Sequence, residues 1–196
     1  MMRKNRSHVS LAPLPVVLLV LAAAWPLGAQ DAAADIGRHH VLALEAGTIL
    51  PPFAFEDPYS AALGGGLLYE FHGLFPRFPI YFGASLSYHV FLPQVYAFGS
   101  SHMLQGGLYT GFPFSFGVPG KLVFSPSPYL GYKHYYRQHV FEGETSLTNR
   151  PVLVAGLDVR LARAWFLGGV RVEYNLLLED SPLHAVAAQA YAGVSF

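Results

Sequence analysis

The chain has 196 residues, of which 53% are hydrophobic and only 12% are charged. That charged share is about half of what an ordinary soluble domain carries, which favours a membrane environment and excludes a disordered chain. Acidic and basic residues balance, so the sequence offers no basic field for nucleic acid. It contains no cysteine, which excludes disulfides, thiolate metal sites and cysteine nucleophiles.

The N-terminus has the pattern of a secretory signal peptide. Three basic residues precede an apolar stretch from Leu11 to Leu27, and small residues follow around Ala29. An uncleaved membrane anchor is the alternative, but prolines leave an apolar run too short to cross a bilayer. We therefore predict a signal peptide over residues 1–29 and a single domain over residues 30–196.

The remaining chain alternates apolar and polar residues with a period of two, which predicts β-strands with two different faces. In the segment 80–92, Leu86 and Val90 share an apolar face, whereas Ser85 and Ser87 share the opposite one. Eight such strands are predicted, at residues 39–50, 61–72, 80–92, 102–112, 124–137, 151–161, 165–177 and 184–196.

A closed barrel is the arrangement that satisfies these strands in a bilayer. In the bilayer every backbone N–H and C=O group must be paired within the protein, so the sheet cannot have an open edge. We predict an all-β fold, an eight-stranded antiparallel up-and-down transmembrane β-barrel. Most prolines fall in the predicted connections, but Pro126 and Pro128 lie at the start of the fifth strand and leave its beginning open between residue 124 and Tyr129.

An even number of strands places both termini on one side of the membrane. Because the chain is exported before it inserts, we predict that this side is the periplasm. Outer loops are predicted at residues 51–60, 93–101, 138–150 and 178–183, and periplasmic turns at 73–79, 113–121 and 162–164. Aromatic residues gather toward both ends of the strands, as interfacial girdles do. His134 and His184 face outward on this pattern and are expected at the interface.

The last strand ends on an alternating segment that closes with a terminal phenylalanine. Its residues Tyr191, Val194 and Phe196 resemble the signal by which outer-membrane barrels are recognised for assembly. With the strand count, the chain resembles the small outer-membrane barrels of the OmpA, OmpX and OmpW type. The resemblance implies a bacterial outer-membrane location, with membrane lipid and the barrel-assembly machinery as partners.

The polar face of the strands carries charged residues of both signs, which must pair inside so narrow a barrel. We predict a lumen charge cluster of Glu45, Glu70, Lys133, Arg137, Asp158, Arg160, Arg171 and Glu173. A structural plug is the first interpretation of this cluster, and a gated polar pathway is the alternative.

Nearer the outer end, the inward positions are small or apolar. We predict an apolar recess above the charges, lined by Ile49, Leu68, Met103, Val152, Val154 and Leu177. This arrangement resembles the OmpW type, and the resemblance implies a small hydrophobic solute as ligand. The predicted function is a non-enzymatic outer-membrane barrel that binds or admits such a solute.

Two other functions compete with this one. A surface-structural or adhesive barrel would act through the loops 51–60 and 138–150. A lipid-modifying enzyme would need a nucleophile beside a histidine. Ser85, Ser87 and His89 form a row on one strand face, but no carboxylate orients His89, so we expect no catalytic residues. The histidines are scattered, and we expect neither a metal nor a cofactor.

Overall fold

The computed structural model describes residues 40–50, 59–75, 78–93, 100–117, 121–141, 143–178 and 183–196. The predicted signal peptide lies outside these residues. The strands are β1 His40–Leu50, β2 Tyr59–His72, β3 Tyr81–Pro93, β4 Ser100–Gly111, β5 Phe116–Gly117, β6 Leu122–Phe141, β7 Glu144–Arg163, β8 Phe166–Leu177 and β9 Leu183–Ser195.

Eight of the nine strands close into one antiparallel barrel. Each pairs with its neighbour along the chain, β9 returns to pair with β1, and β4 pairs with β6. The two-residue strand β5 only extends the edge beside β6. The predicted fold class is confirmed, and closure leaves no open sheet edge within the barrel wall.

The predicted alternation sets which side chains face the lumen. On β4, Leu104 and Leu108 are 46% and 69% exposed, whereas Gln105 and Tyr109 are each 4% exposed. The same alternation holds along the other strands, so large apolar side chains cover the outside, and the buried polar and charged side chains all lie in the interior together with further apolar ones. An apolar outer face with a polar interior is the pattern of a barrel that spans a membrane.

Pro126 and Pro128 lie inside β6, which begins at Leu122. Their carbonyl oxygens accept hydrogen bonds from the N–H groups of Phe114 and Phe112, at 2.9 and 3.1 Å. In an antiparallel strand the N–H and C=O of one residue point to the same side. The side on which each proline lacks an N–H group is therefore the side of the irregular segment that contains Phe112 and Phe114. The ladder between β6 and β7 is therefore unaffected, and the fifth predicted strand begins before both prolines.

The predicted loop at 138–150 is wrong for most of its length. β6 and β7 continue as a paired hairpin until Phe141 pairs with Glu144. Gly143 has a φ of 85°, which a glycine adopts without strain. Sequence alternation weakens in this polar stretch, so the hairpin had no hydrophobic signal.

Two names fix positions along the barrel axis. The terminal end contains His40, Ser195 and the turn between β7 and β8. The loop end contains the starts of β2 and β4 and the turn of the β6–β7 hairpin. Within the described residues, no helix is long and apolar enough to cross a membrane.

Candidate functional site in the barrel interior

Four lumen tyrosines lie directly over glycines of a neighbouring strand. Tyr109 covers Gly83, Tyr81 covers Gly111, Tyr129 covers Gly156 and Tyr191 covers Gly169. A β-carbon at any of these glycines would overlap the tyrosine ring, so the absent side chains are what lets the rings lie against the wall. The four rings contact the charged groups of the lumen, and the sequence analysis named only Tyr191 among them, as part of the predicted terminal signal.

Glu70 is the centre of the charged cluster at the terminal end. Its carboxylate accepts from Arg160 at 2.7 Å, from His72 at 3.0 Å and from Arg171 at 3.3 Å. The hydroxyl of Tyr109 donates to the same carboxylate at 3.3 Å. A buried carboxylate with this many donors keeps its charge without solvent.

Asp158 completes the terminal-end cluster from the neighbouring side. It accepts from Arg160 at 2.9 Å and from the Tyr191 hydroxyl at 2.7 Å. Arg160 therefore joins two carboxylates, and its Nε also donates to the oxygen of Tyr191 at 3.0 Å. The cluster ties β2, β7 and β9 together across the lumen.

Arg171 lies between two tyrosine rings. Its guanidinium carbon is 4.5 Å from the centre of the Tyr109 ring and 4.8 Å from that of Tyr129. Among the described residues, its Nε and Nη1 atoms have no hydrogen-bond acceptor. The π faces of the two rings take the place of those acceptors, because cation–π attraction strengthens when both groups are buried.

A second ion pair lies farther from the terminal end. Lys133 donates to Glu173 at 2.5 Å, and the Tyr129 hydroxyl donates to the other oxygen of Glu173 at 2.8 Å. Glu45 is 7% exposed and makes no direct hydrogen bond or ion pair with any described residue.

The structure connects six of the eight predicted lumen charges through ion pairs and tyrosine contacts, and Glu45 and Arg137 are the exceptions. Arg137 lies toward the loop end, where its Nε donates to Ser101 at 2.8 Å. Its guanidinium carbon lies 4.1 Å from the centre of the Phe91 ring. Parity correctly put Arg137 on the inner face, but β6 carries it higher than the others.

Most of the predicted recess residues are buried in the loop-end half of the lumen. Ile49, Met103, Val152 and Val154 are all less than one-tenth exposed, and Leu177 packs partly buried against them. Leu68 is also buried, and it lies on β2 one inward position from Glu70.

Polar side chains are interleaved with the apolar ones in this half. His89, Gln105 and Asn175 are buried, and each has one polar atom with no hydrogen-bond partner among the described residues. The Nε2 of His89 bonds to the Ser87 hydroxyl at 3.0 Å. Within the described residues no carboxylate hydrogen-bonds to His89, so the pair lacks the third group that orients a catalytic histidine.

The terminal strand places its three predicted signal residues in different surroundings. Tyr191 faces inward to Asp158, whereas Phe196 is 63% exposed on the outside. The backbone of Phe196 pairs with that of His40 in both directions, at 3.0 and 3.1 Å. Val194 pairs with Leu42 and Phe166, so the strand is fixed on both sides up to its end.

No group of three or more metal-ligating side chains occurs in the part of the chain that the structure describes. The histidines face different surroundings: His72 and His89 lie in the lumen, whereas His134 and His184 lie on the outer face, as their parity predicted.

Comparison with solved structures identifies the fold. Neisserial surface protein A matches with a TM-score of 0.55 and 13% identity, over 80% of this chain and 96% of its own. Ail, the attachment invasion locus protein of Yersinia pestis, matches with a TM-score of 0.51 and 12% identity, over 81% of this chain and 99% of its own.

The N-terminal β-barrel domain of Pseudomonas aeruginosa OprF matches with a TM-score of 0.50 and 17% identity, over 80% of this chain and 97% of its own. No family model matches the sequence, and no curated protein does. The chain therefore has the fold of the eight-stranded outer-membrane barrels, as its sequence pattern predicted.

Proposed function

We propose that the chain is a non-enzymatic outer-membrane barrel that binds a small apolar molecule in the loop-end half of its lumen. One observation carries the proposal: the ion pairs of Glu70 and Asp158 lie in the terminal-end half, whereas the loop-end half holds buried apolar side chains such as Met103 beside polar atoms without a partner among the described residues. The ion cluster acts as a floor, so a ligand enters and leaves at the loop end.

The kind of ligand follows from the residues of that half. Met103 and Val152 are buried opposite small inward residues, Ala62, Ala185 and Ala187. Small side chains on one wall and flexible or branched ones on the other suit a compact apolar molecule. Buried polar atoms at His89 and Gln105 lie nearby and would orient a ligand that carries a single polar group.

The orientation belongs to the same proposal. Both termini lie in the periplasm and the loop end faces outward, because the polypeptide is exported before the barrel inserts. The barrel-assembly machinery would recognise the terminal strand through Tyr191, Val194 and Phe196, of which Phe196 is the exposed one. Outer-membrane lipid would contact the apolar outer face.

Met103 supplies a specific probe of the recess. The sequence has three methionines, of which two are Met1 and Met2, so the Met103 methyl group reports on the lumen alone once the signal peptide is removed. We expect naphthalene to shift its NMR signal saturably. Val152→Trp should fill the space and abolish the shift, whereas Leu153→Trp, on the outer face of the same strand, should leave it unchanged. A wild-type barrel without a saturable shift would contradict the proposal.

The β6–β7 hairpin supports a second function, adhesion at the cell surface. Its paired arms continue beyond the last pairing of β7 with β8, and Leu147 at this end is 71% exposed. Replacing residues 139–147 with a two-residue turn should abolish attachment of barrel-coated particles to host cells. The other predicted adhesive loop, 51–60, lies mostly outside the described residues. Unchanged attachment after the replacement would contradict adhesion through the hairpin.

A further inference from the structure

The outer face carries histidines that bond to tyrosines at the loop end. The Tyr88 hydroxyl bonds to Nδ1 of His102 at 2.6 Å, and the Tyr174 hydroxyl bonds to Nδ1 of His184. The two histidines lie on β4 and β9, which are on opposite sides of the closed barrel. Both lie near the loop-end starts of their strands, on the outer face.

The bond to tyrosine fixes which ring nitrogen of each histidine carries the proton. A phenol is a stronger acid than a neutral imidazole, so the tyrosine O–H donates and Nδ1 accepts. The proton of the neutral ring then lies on Nε2. Among the described residues, Nε2 of His102 and of His184 has no partner, so each ring presents an N–H donor at the membrane boundary.

Around His102 the surface provides further donors. Gln138 pairs directly opposite His102 across the β4–β6 ladder and is exposed on the same face. Ser100 is one outward position farther toward the loop end and is also exposed. An imidazole, an amide and a hydroxyl therefore lie together beside Val90 and above Leu104 on the outer face.

We propose that His102 and His184 bind the phosphate groups of lipids in the leaflet at the loop end. Lipid chains cover the apolar face below them, and the next chemical layer of a bilayer is the phosphodiester. Phosphate oxygens accept strongly from N–H donors, and a donor held in one tautomer loses little freedom on binding. The inference depends on the outer face and not on the lumen, so it stands apart from the proposed ligand site.

His134 provides a matched control within the same molecule. It also bonds through Nδ1 to a tyrosine, Tyr132, at 3.3 Å. Its Nε2 is already bonded to Asn149, so it has no free donor to offer a lipid.

The experiment measures contact between histidine nitrogen and lipid phosphorus. Barrels with ¹⁵N-labelled histidine are placed in phosphatidylglycerol vesicles, and solid-state NMR records which side-chain nitrogens are dephased by ³¹P. His40 at the terminal end is bonded to Tyr69 in the same way, so it is expected to give a dephased signal from the other leaflet. We expect one dephased Nε2 signal to disappear in His102→Phe and a different one in His184→Phe, and both to persist in His134→Phe. Tyr88→Phe keeps the His102 ring but removes the hydroxyl that bonds to its Nδ1. It should weaken the dephased signal of His102 at least twofold.

A stability measurement completes the test where labelling is difficult. The temperature of the heat-dependent gel shift should be higher in phosphatidylglycerol than in digalactosyl diacylglycerol, which has no phosphate. The double variant His102→Phe, His184→Phe should lose most of this difference, and His134→Phe should keep it. Absence of dephasing in the wild-type barrel would overturn the proposal. An equal loss of the temperature difference in the double variant and in His134→Phe would overturn it as well.

Discussion

Arg160 holds Glu70 and Asp158 in one lumen network, with its Nη2 atom 2.7 Å from a Glu70 oxygen and 2.9 Å from an Asp158 oxygen. The three residues come from β2 and β7, which are not neighbours in the barrel. A side-chain network of this kind supports the wall from within, where the backbone ladder connects only adjacent strands.

Removing the Glu70 carboxylate should destabilise the barrel strongly. Glu70→Ala leaves Arg160 buried with one partner fewer, and Arg171 buried without its closest carboxylate. An uncompensated buried charge costs about 3–5 kcal/mol. Urea unfolding in vesicles, followed by the gel shift, should show this loss. The exposed Glu144→Ala variant should behave like the wild type, and equal stability of both variants would contradict a buried network at Glu70.

The tyrosine rings should discriminate between arginine and lysine at position 171. Arg171→Lys keeps the charge but replaces a flat guanidinium between Tyr109 and Tyr129 with a compact ammonium. We expect a loss of about 1–2 kcal/mol in unfolding free energy. Arg163→Lys, at an exposed position, is the control and should change it little. A fully stable Arg171→Lys barrel would show that charge alone matters at this position.

The glycines beneath the tyrosines should not tolerate a side chain. Gly156→Ala would overlap the ring of Tyr129 and displace the hydroxyl that donates to Glu173 at 2.8 Å. Overpacking of this kind costs about 1–3 kcal/mol. In contrast, a β-carbon at Gly106 would meet its nearest atom at 3.8 Å, an ordinary contact. Comparable destabilisation by Gly156→Ala and Gly106→Ala would contradict the packing described here.

Proline tolerance in β6 should depend on the side to which each N–H points. Pro126→Ala should have little effect, because residue 126 faces the irregular segment at Phe114. Ser127→Pro should weaken the barrel clearly more than Pro126→Ala changes it, because the N–H of Ser127 faces β7 and its ladder hydrogen bond would be lost. Amide hydrogen exchange along β7 should increase in the second variant alone. Protection that is unchanged in both would refute the assignment.

Strand number, strand parity and closure could be predicted from the sequence because they follow from one strong signal. A membrane barrel places apolar residues outside at every second position, and the strand pattern around Leu86 and Val90 shows this without ambiguity. The same parity correctly turned Glu70, Arg160 and Arg171 inward.

Height along the barrel axis could not be predicted in the same way. It depends on the stagger between strands, which the periodicity of a single strand does not contain. Arg137 was therefore grouped with charges that lie nearer the terminal end. The polar hairpin beyond residue 138 was missed because no apolar face marks it.

Lipid contact along β4 tests the central assignment of inside and outside most directly. The sequence has no cysteine, so single cysteines at Leu104, Gln105, Leu108 and Tyr109 can each carry one fluorophore. In vesicles with brominated lipid chains, labels at Leu104 and Leu108 should be quenched, and those at Gln105 and Tyr109 should not. Equal quenching at all four positions would contradict a barrel whose apolar face meets the membrane and whose charges lie within.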